Sequence, residues 1–154
     1  MVRRFFISAF SSVVGLAASA FDPVAAAEPQ RFPEPGPIVV DAATVERARR
    51  VLDAVAQGTF DRSELMPQLD AFVEPEAFVD GAVLVSAFGP PRSMFAFEKR
   101  ITADQISTFF RVRFPNDVLT WVVSVDATNK ITGLSLRRSL NHLIFSVVYR
   151  DVQY

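Results

Sequence analysis

The residues best suited to chemistry are acidic, and they crowd. Asp70, Glu74, Glu76 and Asp80 lie in one short stretch, and Asp104, Asp117 and Asp126 follow singly. Neighbouring carboxylates are what general acid/base work or a calcium ion asks for. The calcium pattern, alternating Asp or Asn around a central Gly, is absent. The plainer account of the cluster is charge at helix starts and solubility. Asp80 stands apart because it lies between the apolar residues Val79 and Ala82. It is the carboxylate to name as general base if the protein catalyses a reaction.

Other chemistries have less to work with. His142 is the single histidine, and there is no cysteine. Disulfides, thiolate metal sites and a thiol nucleophile are thereby excluded. One His without Cys makes no standard zinc site, so neither a metal nor a cofactor is expected. No Gly-x-Ser-x-Gly elbow accompanies the serines, and the six glycines are scattered singly rather than gathered in a phosphate loop. With 16 basic and 17 acidic residues the balance is near neutral, which does not favour nucleic acid.

These residues need a scaffold, and 154 residues suffice for one ordinary domain. The first 27 residues read as a signal peptide: a basic "MVRR", an apolar "FFISAFSSVVGLAASA", then Ala18-Ser19-Ala20 and Ala25-Ala26-Ala27 as two cleavage sites. The apolar run is shorter than the roughly 20 residues of a spanning helix, so no stable membrane insertion is expected after cleavage. Export to a periplasm or beyond follows. Loss of Arg3, Arg4 and Asp22 removes a net +1 and takes the charge from −1 to −2. Residues 28–37, "EPQRFPEPGP", form a Pro-rich linker.

The helical period comes next. In "DAATVERARRVLDAVAQG", Val45, Ala48, Leu52 and Val55 recur on one face with Val51 beside them. Asp41 or Thr44 caps its start, and Gly58 ends it. Glu46, Arg47, Arg49, Arg50 and Asp53 form its wet face. "DRSELMPQLDAF" predicts a shorter helix starting near Met66, because Pro67 is tolerated only in a first turn. "EPEAFVDGAVLVSAFGPP" predicts a third, with Phe78, Ala82, Val85 and Phe88 on one face and Gly89-Pro90-Pro91 as its stop.

The period then changes to two. "MFAFEKRI" alternates weakly. "STFFRVRF" alternates well, with Phe110, Val112 and Phe114 on one face and Arg111 and Arg113 on the other. "VLTWVVSV" puts Leu119, Trp121, Val123 and Val125 together, and "ITGLSLRR" pairs Leu134 with Leu136. Short turns at "PND" and "DATNK" join them into an antiparallel meander. Its apolar face must be covered by the preceding helices, which makes the class α+β.

Three helices followed by "AFGPPRSMFAFEK" and by "RVRFPNDVLTWVVSVDATNKITGLSLRR" resemble the NTF2-like or SnoaL-like superfamily. The likeness is greatest to a small exported domain found beside secreted serine hydrolases of the β-lactamase type. It covers Thr44 to Arg138, and no Ser-x-x-Lys of the hydrolase itself is present. The resemblance implies a cone-shaped, cystatin-like fold in which three N-terminal helices pack on a curved antiparallel sheet. Enzymes of that class place Asp, His, Tyr or Arg inside the cone. Here the inward positions are apolar, and Trp121 reads as a core residue whose indole N–H meets backbone. Phe78, Phe110, Val112, Trp121, Val123 and Leu134 are the candidates to line a pocket for a small apolar ligand.

The domain accordingly spans 38–138, and 139–154 is a C-terminal extension. Its "SLNHLIFSVVYRDVQY" fits a helical stripe or a strand, packed on this domain or on a partner. Arg111, Arg113 and Arg137 share the outer sheet face, an interaction face that related folds use to form homodimers. The expected function is that of a non-enzymatic accessory or binding domain. The alternative is a SnoaL-like enzyme acting on an apolar small molecule, with Asp80 as base.

Overall fold

In the computed structural model the chain divides into two units, Met1–Pro33 and Glu34–Tyr154. The structure describes residues 35–139 and 142–148, all in the second unit. The expected signal peptide, the linker as far as residue 34 and the last six residues of the extension lie outside the described residues.

Helix α1 spans Ala42–Gln57. Asp41 caps it, accepting from the Thr44 N–H at 2.8 Å and the Thr44 hydroxyl at 2.6 Å. These bonds favour the charged carboxylate and hold Asp41 below its ordinary range, the hydroxyl contributing most. Gly58 ends α1 in the left-handed region, φ 68°, where its N–H reaches back into the last turn. The buried face is Ala48, Val51, Leu52 and Val55, the periodic set that the sequence shows.

A 3₁₀ turn, Arg62–Glu64, precedes α2, Pro67–Phe72, and α3, Pro75–Ser86. Both α-helices begin on their proline, whose missing N–H costs nothing there. Arg62 steadies the end of α2. It bonds the Asp70 carboxylate at 2.6 Å and the carbonyls of Asp70 and Val73 at 2.7 and 2.8 Å.

Five strands follow: β1 Ser93–Ile101, β2 Ile106–Arg113, β3 Val118–Val125, β4 Ile131–Ser139 and β5 His142–Val148. They form one antiparallel sheet in the order β1-β2-β3-β4-β5. The architecture is therefore α+β, an open sheet with its helices on one face. A bulge between Ala96 and Glu98 interrupts β1 and explains its weak alternation in sequence. The sheet runs on past Arg138. β5 pairs with β4, Phe145 opposite Leu136 and Val147 opposite Leu134. The segment from 139 that the sequence reading set outside the domain thus supplies an integral strand. Its inward Phe145 and Val147 need the same cover as the rest of the face.

One core joins helices and sheet. Phe110, Val112, Leu119, Trp121, Leu134 and Leu136 of the inner face are fully buried against α1 and α3. Gly81 lets α3 approach β5, since a Cβ there would lie 2.5 Å from the Phe145 ring. Among the described residues no helix is long and apolar enough to cross a membrane.

Candidate functional site

A half-enclosed cavity of about 210 Å³ lies between the first turns of α1 and the inner face of β2 and β3. Its floor is apolar: Ala48, Phe110, Val123 and Val125. Its rim is polar: Asp41, Thr44, Arg47 and Asn129. Drug-sized ligands occupy pockets of roughly 300–1,000 Å³, so an occupant here is smaller.

The cavity exists because of what α1 presents. Towards its N-terminus the helix faces the sheet with Ala43, Thr44 and Ala48, and one turn on with Val51, Leu52 and Val55. Small side chains leave the space that the branched ones fill. Period two places Thr108 on the inner face with Phe110 and Val112, opposite Val123. It is buried and brings a hydroxyl into an otherwise hydrocarbon wall.

Arg47 closes the rim. Its guanidinium donates to the Asn129 side-chain oxygen at 2.7 Å and to the Asn129 carbonyl at 3.0 Å. It also meets Glu64 at 3.3 Å, and Arg50 bonds the same carboxylate at 2.7 Å. Burial opposes ionisation of Glu64, but the bonds and charges of Arg50 and Arg47 outweigh it and hold the carboxyl below the ordinary glutamate range. Asn129 is presented by the β3–β4 turn, where its φ is 64°. Asp126 organises that turn by accepting from Thr128 N–H, the Thr128 hydroxyl and Lys130 N–H. The side chain that reads in sequence as part of the wet face of α1 is thus only 21% exposed and clasped on both sides.

Of the residues expected to line a pocket, Phe110 and Val123 do so. Val112, Trp121 and Leu134 are instead packed solid in the core, and Phe78 stacks on Phe60 with ring centroids 4.7 Å apart. The Trp121 indole N–H donates to the Ala48 carbonyl at 3.1 Å, the backbone partner expected of it. Thr44, Arg47, Thr108 and Asn129 also line the cavity, beyond the residues expected from the sequence. Thr108 was within reach, since extending the Phe110–Val112–Phe114 alternation two residues back finds it. Arg47 was not, because its partners are 17 and 82 positions away.

Asp80 is exposed on α3 and lines a different opening, with Glu74 and Glu76 beside β5. His142 is exposed at the start of β5. The cluster seen in sequence therefore divides, because Asp70 is engaged by Arg62.

The outer sheet face carries the expected arginines. Arg111, Thr120 and Arg137 stand in register across β2, β3 and β4, with Arg113 further along β2. Arg111 lies 5.3 Å over the Phe97 ring and Arg100 lies 4.6 Å over Phe109. The Nε of Arg111 is enclosed and has no acceptor among the described residues. Arg138 pairs with Asp117. This face is drier than the arginines suggest: Ser135 is 1% exposed, and Val122 and Ser124 are buried as well.

Compared with protein-family models, with curated proteins and with solved structures, the chain matches none.

Proposed function

We propose that the chain is an exported, non-enzymatic binding module of NTF2-like type that holds a small apolar molecule under the first turns of α1. One observation carries the reading: the cavity has a hydrocarbon floor, and both charged groups on its rim are already engaged. Asp41 holds the helix cap, and Arg47 holds Glu64 and Asn129. A general base needs a lone pair that is free to take a proton. Asp80, the base of the enzymatic alternative, lines the groove beside β5 rather than this cavity. The test is native mass spectrometry of the purified chain for co-purified small molecules, with titration of an apolar fluorophore into the unliganded protein. Ala48→Leu, which pushes a larger side chain into the cavity, should weaken fluorophore binding about tenfold. Equal binding by a folded Ala48→Leu chain would remove the cavity from the proposal.

The same module forms a homodimer through its outer sheet face. The observation favouring this is that the face carries the Phe97 and Phe109 rings beneath arginines. Aromatic rings with arginine are the composition of interface centres. Phe109→Lys should convert a dimer to a monomer in analytical ultracentrifugation. A wild-type chain that sediments as a monomer at high concentration refutes this part.

A further inference from the structure

The two edges of the sheet are finished differently. At β1 a bulge between Ala96 and Glu98 breaks the regular edge, Lys99 and Arg100 are exposed there, and the Ile38 N–H bonds the Ala96 carbonyl at 2.8 Å. Bulges, charges and cover are how natural edge strands avoid pairing with other chains. At β5 the sequence His142-Leu143-Ile144-Phe145-Ser146-Val147-Val148 contains neither lysine nor proline. The irregularities in its pairing with β4 fall between His142 and Phe145, and Phe145–Val148 is in regular register with Gly133–Leu136. Among the described residues no strand pairs with its other edge.

Beside that edge runs an open groove of about 460 Å³ between β5 and the corner of α2 and α3. Val73, Ala77 and Val148 give it an apolar lining, and Glu74, Glu76 and Asp80 line it with them. None of these three carboxylates has a hydrogen bond or ion pair among the described residues; Glu46 and Asp53 on α1 and Asp104 between β1 and β2 are unbonded too, but Glu74, Glu76 and Asp80 are the three that line this groove together. The helix dipole accounts for Glu76 in the first turn of α3, but Glu74 makes no capping bond and Asp80 lies beyond the first turn.

We propose that this groove receives an extended, basic segment of a partner protein. The segment adds to β5 as a further strand, with Lys or Arg side chains against Glu74, Glu76 and Asp80 and apolar side chains on Val73 and Val148. Strand addition supplies affinity through main-chain hydrogen bonds, and alternate side chains supply the specificity. Charge selects this occupant over a second copy of the chain. Antiparallel self-pairing of β5 would set two identical trios of carboxylates across one edge with no cation between them.

The probes are synthetic peptides of roughly ten residues, titrated into the purified chain by fluorescence anisotropy: alternating Lys-Val, alternating Glu-Val, and Lys-Val with alternate backbone nitrogens methylated. The Lys-Val peptide should bind and protect the amides of residues 144–148 from hydrogen exchange. The Glu-Val and N-methylated peptides should not bind. A Glu76→Gln/Asp80→Asn double variant, both positions exposed, should keep its fold and weaken Lys-Val binding about tenfold. Failure of the Lys-Val peptide to bind at about 1 mM overturns the proposal. So does binding that survives N-methylation, which would make it charge attraction without strand pairing, or binding that survives the double variant, which would take the carboxylates out of the site. A wild-type dimer whose formation protects residues 144–148 would assign the edge to a second copy and overturn it as well.

Discussion

The space between helices and sheet is closed at one end and open at the other, and one helix borders both. At the closed end Val51, Leu52 and Val55 of α1 belong to the same core as Trp121, Phe78 and Phe145. Trp121 and Phe145 stack with centroids 6.5 Å apart, and Phe78 lies 6.1 Å from Phe145. At the open end Ala43, Thr44 and Ala48 face Thr108, Phe110 and Val123 and leave the cavity. A turn of helix sequence, small in one place and branched in the next, decides where this fold is solid and where it is hollow. Close packing makes the solid end intolerant of any change in volume, and the hollow end should tolerate addition.

The largest effect belongs to Trp121→Ala. It removes the biggest fully buried side chain and the bond to the Ala48 carbonyl that ties β3 to α1. We expect a loss of about 3–5 kcal/mol, read from urea denaturation. A loss under about 1 kcal/mol would mean that the closed end relaxes freely.

Gly81→Ala comes next and tests packing without removing anything. In an open helix the change would stabilise by about 1 kcal/mol. Here the new methyl meets the Phe145 ring at 2.5 Å, and that ring is held between Phe78 and Trp121. Overpacking costs about 1–3 kcal/mol, so the net change should be destabilising by about 1 kcal/mol. A more stable Gly81→Ala chain would show that α3 and β5 separate easily.

Glu64 makes the clasp on Arg47 and Arg50 depend on pH. Its carboxyl is held below the ordinary range in the folded protein. The stability it contributes is therefore full above the unfolded value, about 4.3, and is lost as pH falls through the lower folded value. Glu64→Gln should destabilise at pH 7 by about 1 kcal/mol, and the gap from wild type should narrow as the solution is acidified. Denaturation at a series of pH values measures it. A gap that stays constant into acid would mean that the charge on Glu64 is not what holds Arg47 and Arg50.

Much of the fold was legible in the chain because its periods are clean. The α1 face, the prolines that open α2 and α3, and the inward set Phe110, Val112, Leu119, Trp121, Leu134 and Leu136 are all local patterns. β5 was ambiguous for a physical reason. Leu143, Ile144, Val147 and Val148 fit a period of 3.6 as well as they fit a strand edge, and only pairing with β4 decides. The site was less legible. A cavity is the absence of atoms, and its rim is closed by an arginine whose partners come from a 3₁₀ turn and a β-turn remote in sequence. Charge periodicity marks Arg47 as polar and carries no information about a clasp.

The smallest effect is expected at Ala48, at the open end. Ala48→Leu adds three carbons where Gly81→Ala adds one. Ala48 is buried, so volume alone predicts that the larger addition does more harm. Its side chain, however, borders the cavity. The added atoms can enter empty space and gain contacts with Phe110 and Val123, at about 0.8 kcal/mol per buried methylene against the strain of fitting them. We expect the two to offset to within about 1 kcal/mol, with the folded chain losing the fluorophore rather than its stability. If Ala48→Leu proves more damaging than Gly81→Ala, the open end is as rigid as the closed one. Its emptiness would then come from backbone spacing that the sheet cannot adjust rather than from the small residues of α1.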